Sequence, residues 1–333
     1  MRRQRIASLL IWLSPFIAVI VCIGIGRYHI SAIDSLRYLL SPITGLEIEE
    51  QARAVIFNVR LPRILLALLV GMGLGVSGAA FQSLFSNPLA TPDTLGVATG
   101  ASFGAIVTML FSKNLIMVQV MALIFGLIAL AGTVMISRMN GKTSIIMIVL
   151  GGMVVSSLFS AMVSLVKYVA DPEDDLPAIT YWLLGSMTRA TYAGLLIGAP
   201  LIIIGVVIIF LLRWRLNILS LQEEEAQTLG INVKKMRIWV MIAATLTTAA
   251  SISLCGQVGW VGLLIPHIAR MIYGSDNRRI IPAVIGMGAT FMLVIDTVAR
   301  SATASEIPVS ILTAIIGAPF FIALLRKTGG VKL

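Results

Sequence analysis

Ten continuous apolar runs, each close to twenty residues long, divide this sequence into segments that can cross a membrane. About 20 apolar residues in a helix span the hydrocarbon core of a bilayer. The runs are continuous and do not alternate every second residue, which excludes a transmembrane β-barrel. We therefore predict an all-α polytopic membrane protein that forms one transmembrane permease domain over residues 1–333. The predicted spans are 6–26, 61–83, 94–112, 116–137, 144–166, 191–212, 238–256, 258–273, 280–298 and 307–325.

The charged residues are few and lie between the apolar runs. Only 12% of the chain is charged, against about 25% in a soluble domain. The net charge of +10 does not indicate nucleic-acid binding, because the basic residues are scattered along the chain. If both termini are cytoplasmic, 16 of the 25 basic residues fall inside, which agrees with the positive-inside rule. The predicted location is therefore the cytoplasmic (inner) membrane.

Glycine spacing and helix breaks describe how the spans pack. Gly71, Gly75 and Ala79 are four residues apart, as are Gly96, Gly100 and Gly104, a pattern typical of closely packed membrane helices. Asn87, Pro88 and Pro92 interrupt one apolar region, and the run GQVGWVGLLIP at 256–266 interrupts another. Such breaks fit either a translocation path or simple tight turns.

No residue pattern indicates chemistry on a substrate. No group of carboxylates, histidines or nucleophiles resembles an active site, so the chain is not expected to be an enzyme. Cys22 and Cys255 lie in apolar runs without a ligand spacing, and neither a metal site nor a cofactor is predicted. Asp296 and Arg300 are four residues apart and are expected to pair on one helix.

A short polar helix is predicted inside the loop 213–237. Ser220 and Glu223 have the spacing of a capping box, and the following Glu224 and Glu225 favour the positive end of the helix dipole. Gly230 can end the helix. An element this short must pack on another surface, either the spans of this chain or a partner.

Four segments in the expected order resemble the FecCD family of ABC-importer permeases. They are RLPRILLALLVGMGLGVSGAAFQSLFSNPLATPDTLGVATGASFGA at 60–105, SLQEEEAQTLGI at 220–231, GQVGWVGLLIPHIARMIYGSDNRRIIP at 256–282 and EIPVSILTAIIGAPFFIALL at 306–325. The resemblance implies the type II importer fold, with ten spans and both termini cytoplasmic. One departure is Ser310, where the family often has glycine.

The resemblance also implies partners. Two permease subunits, two ATP-binding-cassette ATPases and an extracytoplasmic substrate-binding protein form such an importer, which carries a metal chelate. The second permease is either another copy of this chain or a paralogue. The sequence has no GxxxxGK[ST] motif, so ATP hydrolysis would belong to a separate chain.

Site residues follow from the resemblance by position. Arg60, Arg63 and Arg300 are expected to dock the binding protein by pairing with its carboxylates. Asn87, Leu89, Thr143 and Ser144 are expected near the cytoplasmic gate. The expected ATPase-coupling residues are Leu221, Gln222, Glu223, Glu224, Glu225, Ala226, Leu229 and Gly230.

The resemblance leaves the substrate open within a class. A ferric siderophore is the first expectation, because iron uptake is the commonest role in the family, with haem and cobalamin as alternatives. A secondary transporter driven by an ion gradient is the alternative from another class. It would require a charged relay in broken helices, for which only Asp296 qualifies.

Overall fold

The computed structural model describes residues 2–28, 30–45, 48–139, 142–143, 145–219, 232–303 and 305–327. These residues form fourteen α-helices, one π-helical turn, one 3₁₀ turn and a short β-hairpin. Their order is α1 (Arg2–Gly24), α2 (Ala32–Thr44), α3 (Glu50–Ala54), the π-turn (Val55–Arg60), α4 (Leu61–Leu84), the 3₁₀ turn (Pro92–Leu95), α5 (Val97–Phe111), α6 (Leu115–Ile136), β1 (Arg138–Met139), β2 (Lys142–Thr143), α7 (Ile145–Val169), α8 (Asp175–Leu183), α9 (Tyr192–Leu212), α10 (Arg215–Leu219), α11 (Val233–Cys255), α12 (Val261–Tyr273), α13 (Asn277–Ser301) and α14 (Val309–Lys327).

Each of the ten predicted spans corresponds to a helix. Seven described helical segments are long and apolar enough to cross a membrane, and three shorter apolar helices, α5, α12 and the first part of α14, accompany them. The all-α polytopic fold is confirmed. The hairpin adds one antiparallel ladder, in which Arg138 faces Thr143. The cytoplasmic position of the termini stays a prediction.

Several short elements were not predicted, among them α2, α3, the π-turn and α8. Helix α2 is capped by Ser31, whose hydroxyl accepts a hydrogen bond from the Asp34 backbone N–H. The Ser-x-x-Asp spacing could have indicated this cap. The second span extends outward through the π-turn and α3. Pro62 explains the π-turn, because its ring cannot fit the normal helical hydrogen-bonding pattern with the preceding turn. Helix α8 follows Asp171, which accepts hydrogen bonds from the N–H groups of Glu173 and Asp174.

Helix α4 is the centre of the bundle, with 19 of its 24 residues buried. It packs against α9, α11, α12 and α13. Glycine makes this packing close: a Cβ on Gly71 would lie 2.1 Å from the Gly288 carbonyl oxygen of α13, and one on Gly78 would lie 1.9 Å from that of Gly262 on α12. The predicted glycine pattern therefore identifies the contact face of the central helix.

The predicted pattern at Gly96, Gly100 and Gly104 has two roles. Gly100 and Gly104 face α6, where an added Cβ would lie 2.8 and 2.4 Å from the carbonyl oxygens of Phe125 and Met121. Gly96 instead has a φ of +72° and joins the 3₁₀ turn to α5. A left-handed backbone of this kind favours glycine. The same spacing therefore allows close helix packing at Gly100 and Gly104, whereas at Gly96 it allows a left-handed backbone before α5.

Candidate functional site

The chain between α4 and α5 turns back into the bundle before α5 begins. Asn87 forms the turn, since its side-chain oxygen accepts a hydrogen bond from the Leu89 N–H at 2.9 Å. The following 3₁₀ turn is inserted beside α7, where the Thr94 carbonyl oxygen would lie 2.0 Å from a Cβ on Gly152. Helix α5 therefore starts within the bundle and is only 15 residues long.

A second break separates α11 from α12. Gly256 has a φ of +76°, and a Cβ there would lie 2.1 Å from the Trp182 carbonyl oxygen. Trp260 also has a positive φ, of 70°, just before α12. A bulky residue in this conformation is strained and is kept only where surrounding structure holds it. The Trp260 ring packs on α14, because a Cβ on Gly317 would meet ring atoms at 2.7 Å.

The two breaks meet. Pro92 and Asp93 from the first, with Gln257 and Trp260 from the second, line a cavity of about 30 Å³ beside α4 and α11. From the sequence alone, each break could be either a tight turn or part of a translocation path. Their contact inside the bundle brings irregular backbone from two distant segments to one place, as expected where helices line a cavity.

Two of the three predicted docking arginines hold the end of α1. Arg60 donates from Nη1 to the Ile23 carbonyl oxygen at 2.6 Å and to that of Gly24 at 3.2 Å, and from Nη2 to that of Tyr28. Arg300 donates to the Cys22 carbonyl oxygen. Carbonyls at a helix C-terminus lack partners within the helix, so these guanidinium groups cap α1 and connect it to α4 and α13.

Arg63 is held by acids of its own chain. Its Nε lies 2.7 Å from Asp296 Oδ1, and its Nη2 lies 2.7 Å from Glu306 Oε2. Asp296 is fully buried, and its expected partner Arg300 is farther away, at 3.8 Å. The expected Asp296–Arg300 pair is therefore present, but Asp296 lies closer to Arg63, which belongs to another helix. Sequence spacing could not show it, because Arg63 and Asp296 are 233 residues apart.

The structure brings the three arginines together but buries them, at 3%, 5% and 8% exposure for Arg60, Arg63 and Arg300. Their predicted role in docking the binding protein stays a prediction. A crevice of about 170 Å³ reaches all three, between Tyr28 and Glu306. Access from outside is therefore through this crevice and not across an open surface.

The predicted gate and coupling residues are only partly described. Asn87 and Leu89 lie at the exposed turn after α4, with Leu89 53% exposed. The backbone of Thr143 lies in β2 opposite Arg138, while Ser144 lies outside the described residues. The coupling residues also lie outside the described residues: Leu221, Gln222, Glu223, Glu224, Glu225, Ala226, Leu229 and Gly230.

The first part of the predicted coupling loop 213–237, which contains α10, is attached to the start of α13, a contact that sequence patterns did not indicate. Asn217 in α10 donates to Asp276 Oδ1 at 2.8 Å and accepts from the Asn277 N–H at 2.8 Å. Asp276 also caps α13 by accepting from the Arg278 N–H. The hydrogen bond from the Arg278 guanidinium, together with that from Asn217, lowers the pKa of Asp276 to about 2. Asp276 before a helical run was the available signal for the cap.

We expect Asp276→Ala to destabilise the chain by about 1–2 kcal/mol, through loss of the N-cap and of the Asn217 hydrogen bond. Asp276→Asn should be less destabilising than Asp276→Ala, because asparagine caps helices about as well and only the contribution of the charge is lost. The lowered pKa means that the charge contributes stability above about pH 4, the range of an unperturbed carboxyl, and that this stability is lost as pH falls towards 2. Thermal unfolding in detergent at pH 7 and pH 3 measures both effects. Equal midpoints for Asp276→Ala and wild type at pH 7 would contradict the assignment.

Comparison with known proteins agrees with this architecture. The sequence profile of the FecCD transport family matches residues 14–327. The chain is 41% identical over 311 residues to the molybdate import system permease protein of Haemophilus influenzae, covering 93% of this chain and 92% of that protein. It is 37% identical over 277 residues to the protein named as an iron chelatin transport system permease in Helicobacter pylori, covering 83% and 84%. A solved structure described as an inward-facing metal-chelate type ABC transporter has a TM-score of 0.87 at 39% identity, covering 96% of this chain and 98% of that one.

Proposed function

The chain belongs to the FecCD transport family and is the multi-pass membrane permease of an ABC importer, and on this premise we propose that it moves molybdate or a similar oxyanion into the cytoplasm. The observation that carries the substrate is the 41% identity with a molybdate permease over 93% of this chain. The proposal replaces the first expectation of a ferric siderophore with a smaller, compact substrate.

An iron chelate is the second candidate. It is supported by the 37% identity with the Helicobacter pylori permease over 83% of this chain. Haem and cobalamin stay further alternatives, as the family resemblance implied. A secondary transporter is disfavoured, because Asp296 is fully buried and held by Arg63. A carboxylate in this position serves the structure and is poorly placed to exchange ions.

Alternating access is the proposed mechanism. A binding protein delivers the substrate outside, and two ATPases drive the motion of this permease and a second permease subunit. Helix α7 supports a path along its exposed face, where Ser157, Ser160 and Ser164 lie at helical spacing. Ser157 and Ser164 donate to the carbonyl oxygens of Met153 and Ser160 within the helix, and their hydroxyl oxygens can still accept hydrogen bonds from water or a polar solute. The two helix breaks meet near Asp93. The irregular backbone there can rearrange inside the bundle.

Docking of the binding protein at the arginine crevice stays a proposal. Arg60, Arg63 and Arg300 reach the crevice, and guanidinium groups bind carboxylates in a bidentate manner. Because each arginine already holds internal partners, a docking carboxylate would have to enter the crevice and share one of them. Asn87, Leu89, Thr143 and Ser144 retain their proposed place near the gate.

Uptake by a deletion strain with and without this gene tests the substrate. Labelled molybdate, ferric siderophores, haem and cobalamin are supplied separately. We expect gene-dependent molybdate uptake that stops when ATP is depleted and continues when the ion gradient collapses. Gene-dependent uptake of an iron chelate, with no molybdate uptake, would reject the oxyanion and support the second candidate. Uptake that follows the ion gradient would reject the importer mechanism.

The proposed coupling helix gives a separate prediction. Replacing Glu224 with alanine, or Gly230 with valine, should lower transport and stimulated ATPase activity about tenfold, the size of a typical coupling between sites. The reason is that these substitutions would disturb the start and the end of the predicted helix, where the loop is proposed to contact the ATPase. Glu173→Ala, an exposed acid in the loop before α8, is the matched control. Normal transport by both coupling variants at normal membrane abundance would refute the assignment.

A further inference from the structure

A second crevice, of about 460 Å³, opens at the end of the bundle where α5 ends and α6 begins. It lies between the turn that joins α5 to α6 and the segment that contains α8. Its floor is apolar, with Ile179 and Trp182 nearly buried and Met109 and Val118 on the adjoining wall. The volume is within the range of sites that hold small molecules.

Charged groups of both signs line this crevice. Lys113 and Arg189 supply two cations, and Asp174 and Asp175 supply two carboxylates. Within the described part of the chain, none of these four side chains has an ion pair within 4.0 Å or a side-chain hydrogen bond. Opposite charges that share a cavity without touching can be bridged by a ligand that carries both signs.

The surroundings of the crevice indicate the boundary between lipid and water. Helix α5 ends at Phe111, which is 84% exposed, and α6 begins with Leu115 and Ile116, the latter 48% exposed. These exposed apolar side chains lie at the ends of two membrane helices, where the edge of the lipid tails is expected. The indole of Trp182 suits this depth, since tryptophan is enriched at membrane interfaces. A ligand that enters here meets an apolar wall and polar groups together.

We propose that this crevice binds phosphatidylethanolamine from the extracytoplasmic leaflet. Lys113 and Arg189 would hold the phosphate, as lysine and arginine commonly do. Asp174 and Asp175 would accept hydrogen bonds from the primary ammonium, and one acyl chain would follow Met109 and Val118. The carboxylates select against phosphatidylglycerol, which has no ammonium, and against phosphatidylcholine, whose quaternary ammonium has no N–H to donate.

Lipid binding to the complete importer tests this proposal. The purified complex in mild detergent is titrated with each of the three lipids, and bound lipid is counted by native mass spectrometry. We expect phosphatidylethanolamine to bind at least several-fold more tightly than the other two. Lys113→Gln/Arg189→Gln should weaken binding of phosphatidylethanolamine and phosphatidylglycerol alike. Asp174→Asn/Asp175→Asn should remove the preference for phosphatidylethanolamine while phosphatidylglycerol binds as well as before or better.

The matched control neutralises one cation and one acid at the same end of the bundle. Asp34→Asn/Arg37→Gln on α2 lies outside the crevice and should leave all three lipid affinities unchanged. Equal affinities of the wild type for the three lipids would overturn the proposal, as would crevice variants that match the wild type. If the lysine–arginine variant weakens only binding-protein docking, in a salt-dependent manner, the crevice is a protein contact and the lipid proposal fails. Unchanged thermal unfolding confirms that these variants fold.

Discussion

Gly71→Ala is expected to destabilise the protein by about 3 kcal/mol or more, at the upper end of the cost of overpacking a core. The added methyl group would lie 2.1 Å from the Gly288 carbonyl oxygen. That oxygen belongs to the backbone of α13, so no side-chain rotation relieves the clash. Helices α4 and α13 would have to move apart along one of the most extensive helix contacts of the bundle.

Gly132→Ala in α6 is the matched control, because its methyl group would have its nearest neighbour at 3.7 Å. Alanine also favours a helix over glycine by about 1 kcal/mol, so the control should be neutral or stabilising. The measurement is the midpoint of thermal unfolding in detergent. The two cysteines report it through a thiol-reactive dye, since Cys22 and Cys255 are 4% and 3% exposed. Similar midpoints for the two variants would show that α4 and α13 are not closely packed at this position.

The second large effect is expected for Asp296→Asn. Asp296 is fully buried, and it lies 2.7 Å from Arg63 and 3.8 Å from Arg300. Removing its charge leaves two buried guanidinium groups, for which Glu306 is the one acidic neighbour within the described part of the chain. Breaking a buried ion pair in this way costs about 3–5 kcal/mol. The variant should unfold at a markedly lower temperature or fail to accumulate in the membrane.

A double-mutant cycle separates this ion pair from a general packing effect. Arg63→Met and Asp296→Asn are measured alone and together. The double variant should be less destabilised than the sum of the single variants, because each single change leaves a partner uncompensated. Asp34→Asn is the surface control, since its pair with Arg37 is 3.6 Å long and largely exposed, which limits its contribution to about 1 kcal/mol. Additive effects of the two buried changes would exclude the proposed pairing.

The proposed docking of a binding protein at the arginine group would also affect helix packing. Arg60 and Arg300 cap the C-terminal end of α1, and Arg63 joins α4 to α13 through Asp296. A binding protein that inserts a carboxylate into the crevice would therefore compete with contacts that hold three helices together. Docking and helix movement would then be coupled at this end of the permease. The charges involved are those that hold the helices together when no binding protein is docked.

Several local features were predictable because they depend on residues near one another in sequence. Apolar runs of helical length gave the ten spans, and each corresponds to an observed helix. The spacing of Gly71 and Gly75 identified a close-packed face. The Ser31–Asp34 cap of α2 was available from the same kind of signal but was not used. Asn87 and Pro88 correctly marked an interruption, although its direction into the bundle was not evident.

Sequence patterns could not predict the ion pairs around Arg63. Helical spacing joins Asp296 with Arg300, and the stronger contact with Arg63 arises only when α4 packs on α13. The same holds for Asn217 with Asp276, and for Lys113 and Arg189 with Asp174 and Asp175 around one crevice. Each of these groups combines residues from segments that are separate along the chain.

The sequence by itself determined that this protein spans a membrane as a helical bundle. In the apolar core of a bilayer, the backbone N–H and C=O groups of each segment must find hydrogen-bond partners within that segment, and a helix provides them. It also determined the family, through motifs distributed over most of the chain. The tertiary structure decided which charges are buried, which helix breaks meet and which side chains share a crevice. Those outcomes depend on how helices pack at close range, where a single methyl group or one buried charge alters the distance between elements.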